Sequence, residues 1–270
     1  MSNECLTGID WQAPWLVPYA DVGPQVAALA QSSGSVAHGL NMATRSPRRF
    51  VPQQELTHGM AYETFIREQQ AVPTRDNLHD FFNGLVWHRW PLVKSRLNEL
   101  QAHAIARDGV GQQRGPLRDA ITLWDENGAL LLAPDALWQA LIERQWKRLF
   151  VELRHLWAHA RLWVVGHALM EQAVKPRKNL TVHVLRTEGC EQLNHMAQLC
   201  GSNADSSSQW SELDAQVAHR LTPDWLSTKP LTPLPIMGVP GWHTDNVDAA
   251  FYEDVQVFRP PRPVLAHCAA

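Results

Sequence analysis

The sequence predicts an α+β fold: one mostly α-helical single domain with a small β-hairpin/sheet and a proline-rich C-terminal wrap. Three features carry that prediction. Apolar residues recur at helical spacing through the central part of the chain. Asn127-Gly128 stands between two apolar runs, the signal of a type I′ hairpin turn. Residues 222–246 hold five prolines and two glycines, which favour extended, irregular chain. With 270 residues and no internal repeat, a single domain is expected over 1–270, its core in 50–260 and residues 1–20 and 261–270 peripheral.

Taken in order, residues 1–20 read as extended chain with Pro14 and Pro18. "DVGPQVAALAQ" (21–31) reads as a helix capped by Asp21, and 32–52 as a long irregular stretch. "MAYETFIREQQ" (60–70) is helical in pattern. So is "PTRDNLHDFFNGLVWHRWP" (73–91), which Pro91 interrupts before an amphipathic helix turns Leu97, Leu100, Ala104 and Ile105 inward. The hairpin is expected over 118–134, with Asp125 closing its first arm as a turn former. Residues 135–176 read as helix with at least one break, "NLTVHVL" (179–185) as a short strand, and "EQLNHMAQLCGS" and "ELDAQVAHRL" as helices. "VQVF" (255–258) has the look of an edge strand.

Composition removes several function classes. A hydrophobic fraction of 45% fits a packed globular core, and a net charge of -3 gives no reason to expect nucleic acid as partner. Cys5, Cys190, Cys200 and Cys268 form no C-x-x-C, so neither a disulfide framework nor a cysteine zinc site is expected. The opening "MSNECLTGIDWQAPW" lacks the pattern of a signal peptide, and no apolar run approaches the ~20 residues of a membrane span. A soluble cytoplasmic protein is therefore expected, with no membrane partner. Twelve Trp against three Tyr imply a large core with indole N–H groups needing acceptors. The nucleotide-binding glycine motifs, G-x-S-x-G and H-E-x-x-H are all missing.

Chemistry is sought where polar groups are trapped. From Asn77 to His88 there is no Lys, Arg or Glu, yet His79, Asp80 and Asn83 are present. On a helix wound through with Leu, Phe, Val and Trp, an unpaired polar side chain costs about 1–3 kcal/mol, so these three need partners. They are the candidate catalytic residues. The bland readings are a core histidine bonded to a carbonyl and, for Asp80, a first-turn cap. "LWVVGHALMEQ" (162–172) repeats the pattern: it has no Lys, Arg or Asp but carries His167 and Glu171 four apart on one helical face. That spacing suits chelation of one divalent metal, zinc, iron or manganese, with His183 of the short strand as a third candidate ligand. Gly166 beside His167 points to close approach of another backbone or a ligand. Arg75, Arg114 and Arg118 precede ordered elements and suit an anionic substrate, although pairing with Asp76, Asp80 or Asp119 is the plainer reading. Trp242 and His243 stand in a Pro/Gly-rich loop of the kind that lines pockets. His155 and His159, among arginines, are expected to face solvent.

The stretches "PTRDNLHDFFNGLVWHRWP", "RGPLRDAITLWDENGALL", "GHALMEQAVKPRKNLTVHVL" and "PLPIMGVPGW…FYEDVQVFRP" resemble an uncharacterised bacterial domain-of-unknown-function family over about residues 72 to 260. The resemblance implies a single-domain bacterial protein and supplies no activity, ligand or catalytic residue.

Two functional readings follow from the residues. In the first, His79, His167, Glu171 and either His183 or Asp80 converge on a pocket, hold a divalent metal and hydrolyse a small molecule, with the tail around Trp242 as cover. In the second, the same groups form a buried hydrogen-bond network in a non-catalytic binding protein. An open cavity separates the two.

Overall fold

The computed structural model describes residues 4–42, 48–109, 115–186 and 207–260. Two sheets organise them. A parallel pair joins β1 (Arg49–Pro52) to β2 (Ala71–Thr74), with α4 (Tyr62–Gln69) as the crossover. The larger sheet has the order β4-β3-β5-β6, built from β3 (Gly128–Leu132), β4 (Arg161–Val164), β5 (Thr181–Leu185) and β6 (Leu231–Pro235). Its central pair β3–β5 is parallel; β3–β4 and β5–β6 are antiparallel. All of Gly128–Leu132 is buried, as expected of a strand covered on both faces.

Helices stack outward from this sheet. Helix α7 (Pro116–Asn127) lies against β3 and β5 and touches both α6 (Pro91–Asp108) and α9 (His167–Ala173). Helix α5 (Leu78–Arg89) then packs on α6 and α9. Its nine residues from Asp80 to His88 are all buried, which is why the chain affords so little for water there. Asn77 caps α5 by accepting from Asp80 N, and Pro91 opens α6 at the position where a missing N–H costs nothing. Four indoles find backbone acceptors: Trp124 on Ala129, Trp146 on Arg259, Trp157 on Leu149 and Trp210 on Arg89. Among the described residues no helix is long and apolar enough to cross a membrane.

The α+β class stands, but several local expectations do not. The hairpin over 118–134 is absent. Helix α7 runs to Asn127 and β3 starts at Gly128, whose φ of -85° and ψ of 156° are extended rather than left-handed. The repeat of Leu117, Ala120, Ile121 and Trp124 is a helical one, and Gly128 is needed because a Cβ there would lie 2.1 Å from Trp124 O. The described residues of 32–52 are not irregular: they hold α3 (Val36–Met42) and β1. The break within 135–176 contains a strand, since α8 (Asp135–Ile142) is followed by two short helical turns and then β4. Asp21 does not cap α2 (Gly23–Ser33) but pairs with Arg89. The first twenty residues bury Leu6, Ile9, Trp15, Leu16 and Tyr19, and Tyr19 Oη donates to Val164 O across 2.8 Å. "VQVF" forms turns, while β6 is one of the two edge strands of the larger sheet and carries Pro233 and Pro235. The helix expected over 191–202 and Arg114 lie outside the described residues. Helix α10 (Ser207–Arg220) and the short α11 (Pro223–Ser227) precede β6.

Candidate metal centre and cavity

Helices α4, α5, α6 and α7 surround a cavity of about 340 Å³, and His167 of α9 closes one corner. Partly exposed side chains of Arg75, His79 and Glu126 mark its mouth. Inside that corner His79 Nε2 and His167 Nε2 stand 3.1 Å apart, with their rings edge to face. Glu126 Oε2 lies 3.6 Å from His167 Nε2. One donor atom from each of His79, Glu126 and His167 falls within 4.8 Å of the other two. Bonds of ~2.0–2.1 Å to a tetrahedral ion would place neighbouring donors about 3.3 Å apart, so small side-chain adjustments suffice for the three to share one cation.

Local sequence explains the convergence. His79 sits in the first turn of α5 and His167 opens α9, so two helix starts meet. Gly166 stands just before α9 at φ -66°, not inside a helix. A Cβ on it would meet Glu126 O and Gly128 N at 2.5 Å. The missing side chain lets the end of α7 close on the start of α9, and Gly166 N and Val165 N both donate to Gly128 O. Glu126 is thereby carried to His167.

A second layer orders the ligands. His79 Nδ1–H donates to Glu171 Oε2 at 3.0 Å, which fixes the tautomer that presents Nε2 to the cavity. On the other side Asp125 Oδ2 lies 3.9 Å from His167 Nδ1, and Lys94 Nζ donates to Asp125 Oδ1 at 2.6 Å. Burial opposes the charge of Asp125; the Lys94 ammonium and the neighbouring imidazoles outweigh it and hold the carboxyl below its usual range. Burial pushes the His167 imidazole down to about 3, the Asp125 carboxylate pulls the other way, and Lys94 and His79 add to the burial. His167 is therefore neutral at physiological pH, the form that ligates metals.

The expected site residues separate into three groups. His79, His167 and Glu171 are brought together. Asp80, Asn83 and Arg75 line the same cavity in other company. Asp80 accepts from Arg75 Nε at 3.1 Å, Nη2 at 2.8 Å and the Arg75 backbone N at 2.6 Å, so the ion pair is its main partner. Asn83 Nδ2 donates to Tyr62 Oη. The rest lie elsewhere. His183 stands on β5 opposite Gly128 and Pro233, does not line the cavity, and its imidazole is lowered by burial. Arg118 is buried with its Nε unpartnered among the described residues and also stays off the cavity lining. Trp242 packs at 6.0 Å on Trp15, and His243 accepts from Asp245 N as a cap, so the tail does not cover the site. His155 and His159 are exposed, as expected.

One residue differs from its expected role and one further residue joins the site. Asp125 is no turn former but a half-buried partner of Lys94, and Glu126 is the carboxylate beside His167 Nε2. Both were hidden by reading "DENG" as a hairpin turn. Their signal was the helical spacing from Ile121 and Thr122, which puts Asp125 and Glu126 one turn further along the cavity wall.

No curated protein and no solved structure matches the chain. A family model described as "Protein of unknown function (DUF3025)" matches residues 48–262, and the chain belongs to that family.

Proposed function

We propose that the protein is a metal-dependent enzyme of the hydrolase type, holding one divalent cation, zinc, iron or manganese, between His79, His167 and Glu126. One observation carries this reading: two imidazole nitrogens 3.1 Å apart face a carboxylate at the edge of an accessible cavity. Two histidines and one carboxylate form a donor set that binds such ions while leaving a coordination position open. The cavity volume suits a small molecule. When bound, the cation polarises a carbonyl and eases ionisation of water. The chain supplies the rest. Glu171 orients His79, Lys94 keeps Asp125 charged beside His167, and the arginine–aspartate pair of Arg75 and Asp80 stiffens the mouth. In the hydrolysis, the oxygen of water joins the acyl carbon and the leaving heteroatom departs with a proton.

The competing reading is a buried network with no metal, because His79 and His167 can share a single N–H···N hydrogen bond at the same distance. Elemental mass spectrometry decides between them. Untagged protein, as purified and after dialysis against each metal, is expected to hold about one ion per chain, and His167→Ala and Glu126→Gln to lose it by about tenfold or more. Wild type that stays empty after metal repletion overturns the proposal and leaves the network.

A further inference from the structure

The lining of the cavity specifies the charge of its ligand. Four carboxylates, Glu63, Asp80, Asp125 and Glu126, face two cations, Arg75 and Lys94. Both cations are already held, Arg75 by Asp80 and Lys94 by Asp125. The lining therefore offers no uncommitted cation to a phosphate or carboxylate, and a divalent ion at the histidine corner cancels its negative excess.

Charge is also separated along the cavity. Lys94, beside the metal corner, and Gln101 share helix α6 and stand seven residues apart, roughly 10 Å at 1.5 Å per residue. At the Gln101 end one N–H of each amide is committed to Glu63: Gln101 Nε2 donates to Glu63 Oε1 at 2.7 Å, and Asn98 Nδ2 to Glu63 O at 2.9 Å. That leaves the Glu63 carboxylate with the oxygens of Asn98 and Gln101 as acceptors in the wall. One end of the cavity is thus electrophilic and the other accepts hydrogen bonds.

Resting on the metal site proposed above, we infer that the ligand is a small amine-bearing carbonyl compound, its carbonyl at the His79–His167–Glu126 corner and its ammonium against Glu63, Asn98 and Gln101. An anionic group at the Glu63 end is disfavoured by the same arrangement.

A matched series of six-carbon hydroxamates tests this, because the hydroxamate anchors on a bound metal and the far end is free to vary. Three are titrated calorimetrically into metal-loaded protein, ending in an ammonium, a methyl group or a carboxylate. The ammonium compound is expected to bind about tenfold tighter than the methyl one, and the carboxylate about tenfold weaker. Glu63→Gln, which keeps an oxygen for Gln101, should erase the ammonium preference while metal content and affinity for the methyl compound stay unchanged. The inference is overturned if the carboxylate binds as well as the ammonium, if the ammonium gains nothing over methyl, or if loaded protein binds none of the three. Absence of metal is a different result, seen by elemental analysis beforehand, and it sinks the function rather than the ligand class.

Discussion

The cavity corner and the C-terminal tail both bury polar groups, yet they do so in opposite ways. In the tail, Asn246 is fully buried and its Nδ2 donates to Met237 O and Val239 O. Arg154 and Tyr252 both donate to Asn246 O, and Tyr252 also donates to Gly238 O. Around them Phe150 stacks on Trp157 and Tyr252 with centroids 5.8 and 5.2 Å apart. Most acceptors there are backbone carbonyls, and the gaps are filled with rings. At the corner the partners are side chains of three different helices, and they border open space. Trapped polarity marks both regions; space beside it and partners free to change separate a site from a staple.

The contrast predicts different costs. Asn246→Ala leaves the carbonyls of Met237 and Val239 without their donor and should destabilise the fold by about 3 kcal/mol, since each stranded buried group costs about 1–3 kcal/mol. Urea unfolding reads this directly. A loss under ~1 kcal/mol would mean that water replaces the amide, and the tail would no longer differ from the corner.

How far the sequence revealed this division depends on what each signal measures. The lack of Lys, Arg and Glu from Asn77 to His88 reports burial, and Asp80 to His88 are buried. The spacing of His167 and Glu171 reports a shared helical face, which α9 provides. Neither signal reports what lies across the gap. That is set by tertiary contacts such as the approach of Gly166 to the α7–β3 junction, so Glu126 could not be paired with His167 from spacing alone. His183 shows the converse error: alternation on β5 was legible, but the orientation of that face within the sheet was not. Asn-Gly misled because the same dipeptide serves a type I′ turn and a helix-to-strand junction, and only the run of Leu117, Ile121 and Trp124 before it tells them apart.

A third buried polar group combines features of both regions. Asp214 of α10 accepts from the backbone N–H groups of Leu92 and Val93, capping α6 from a distance. Its partners are backbone, as in the tail, but it can carry charge, as at the corner. Burial raises its carboxyl to about 6 against those two hydrogen bonds, which lower it. The folded form thus holds a proton that the unfolded chain releases near 3.8. The stabilising contribution is full below about 4 and is lost as pH rises through about 6. Relative to Asp214→Asn, wild type should lose up to ~1.4 kcal/mol per pH unit within that window, measured by urea unfolding at several pH values. A flat difference would show that the two N–H groups balance the burial, and Asp214 would then belong with the tail.

Glu171 offers the finest test of the corner, because it separates a ligand from the residue that orients one. It contacts His79 Nδ1, on the far side of the ring from the Nε2 that faces His167. Glu171→Gln keeps an oxygen for that N–H but removes the charge that strengthens the hydrogen bond. Metal affinity should fall about tenfold, and about a hundredfold for Glu171→Leu, where the hydrogen bond is gone as well. Competition against a fluorescent chelator at fixed pH measures both, and unfolding of the metal-free proteins should show little change because Glu171 is 40% exposed. Complete loss of metal in the glutamine variant would place Glu171 among the direct ligands in place of Glu126. Unchanged affinity in both variants would make the His79–Glu171 contact incidental, and the corner would then resemble the tail in holding polar groups for packing alone.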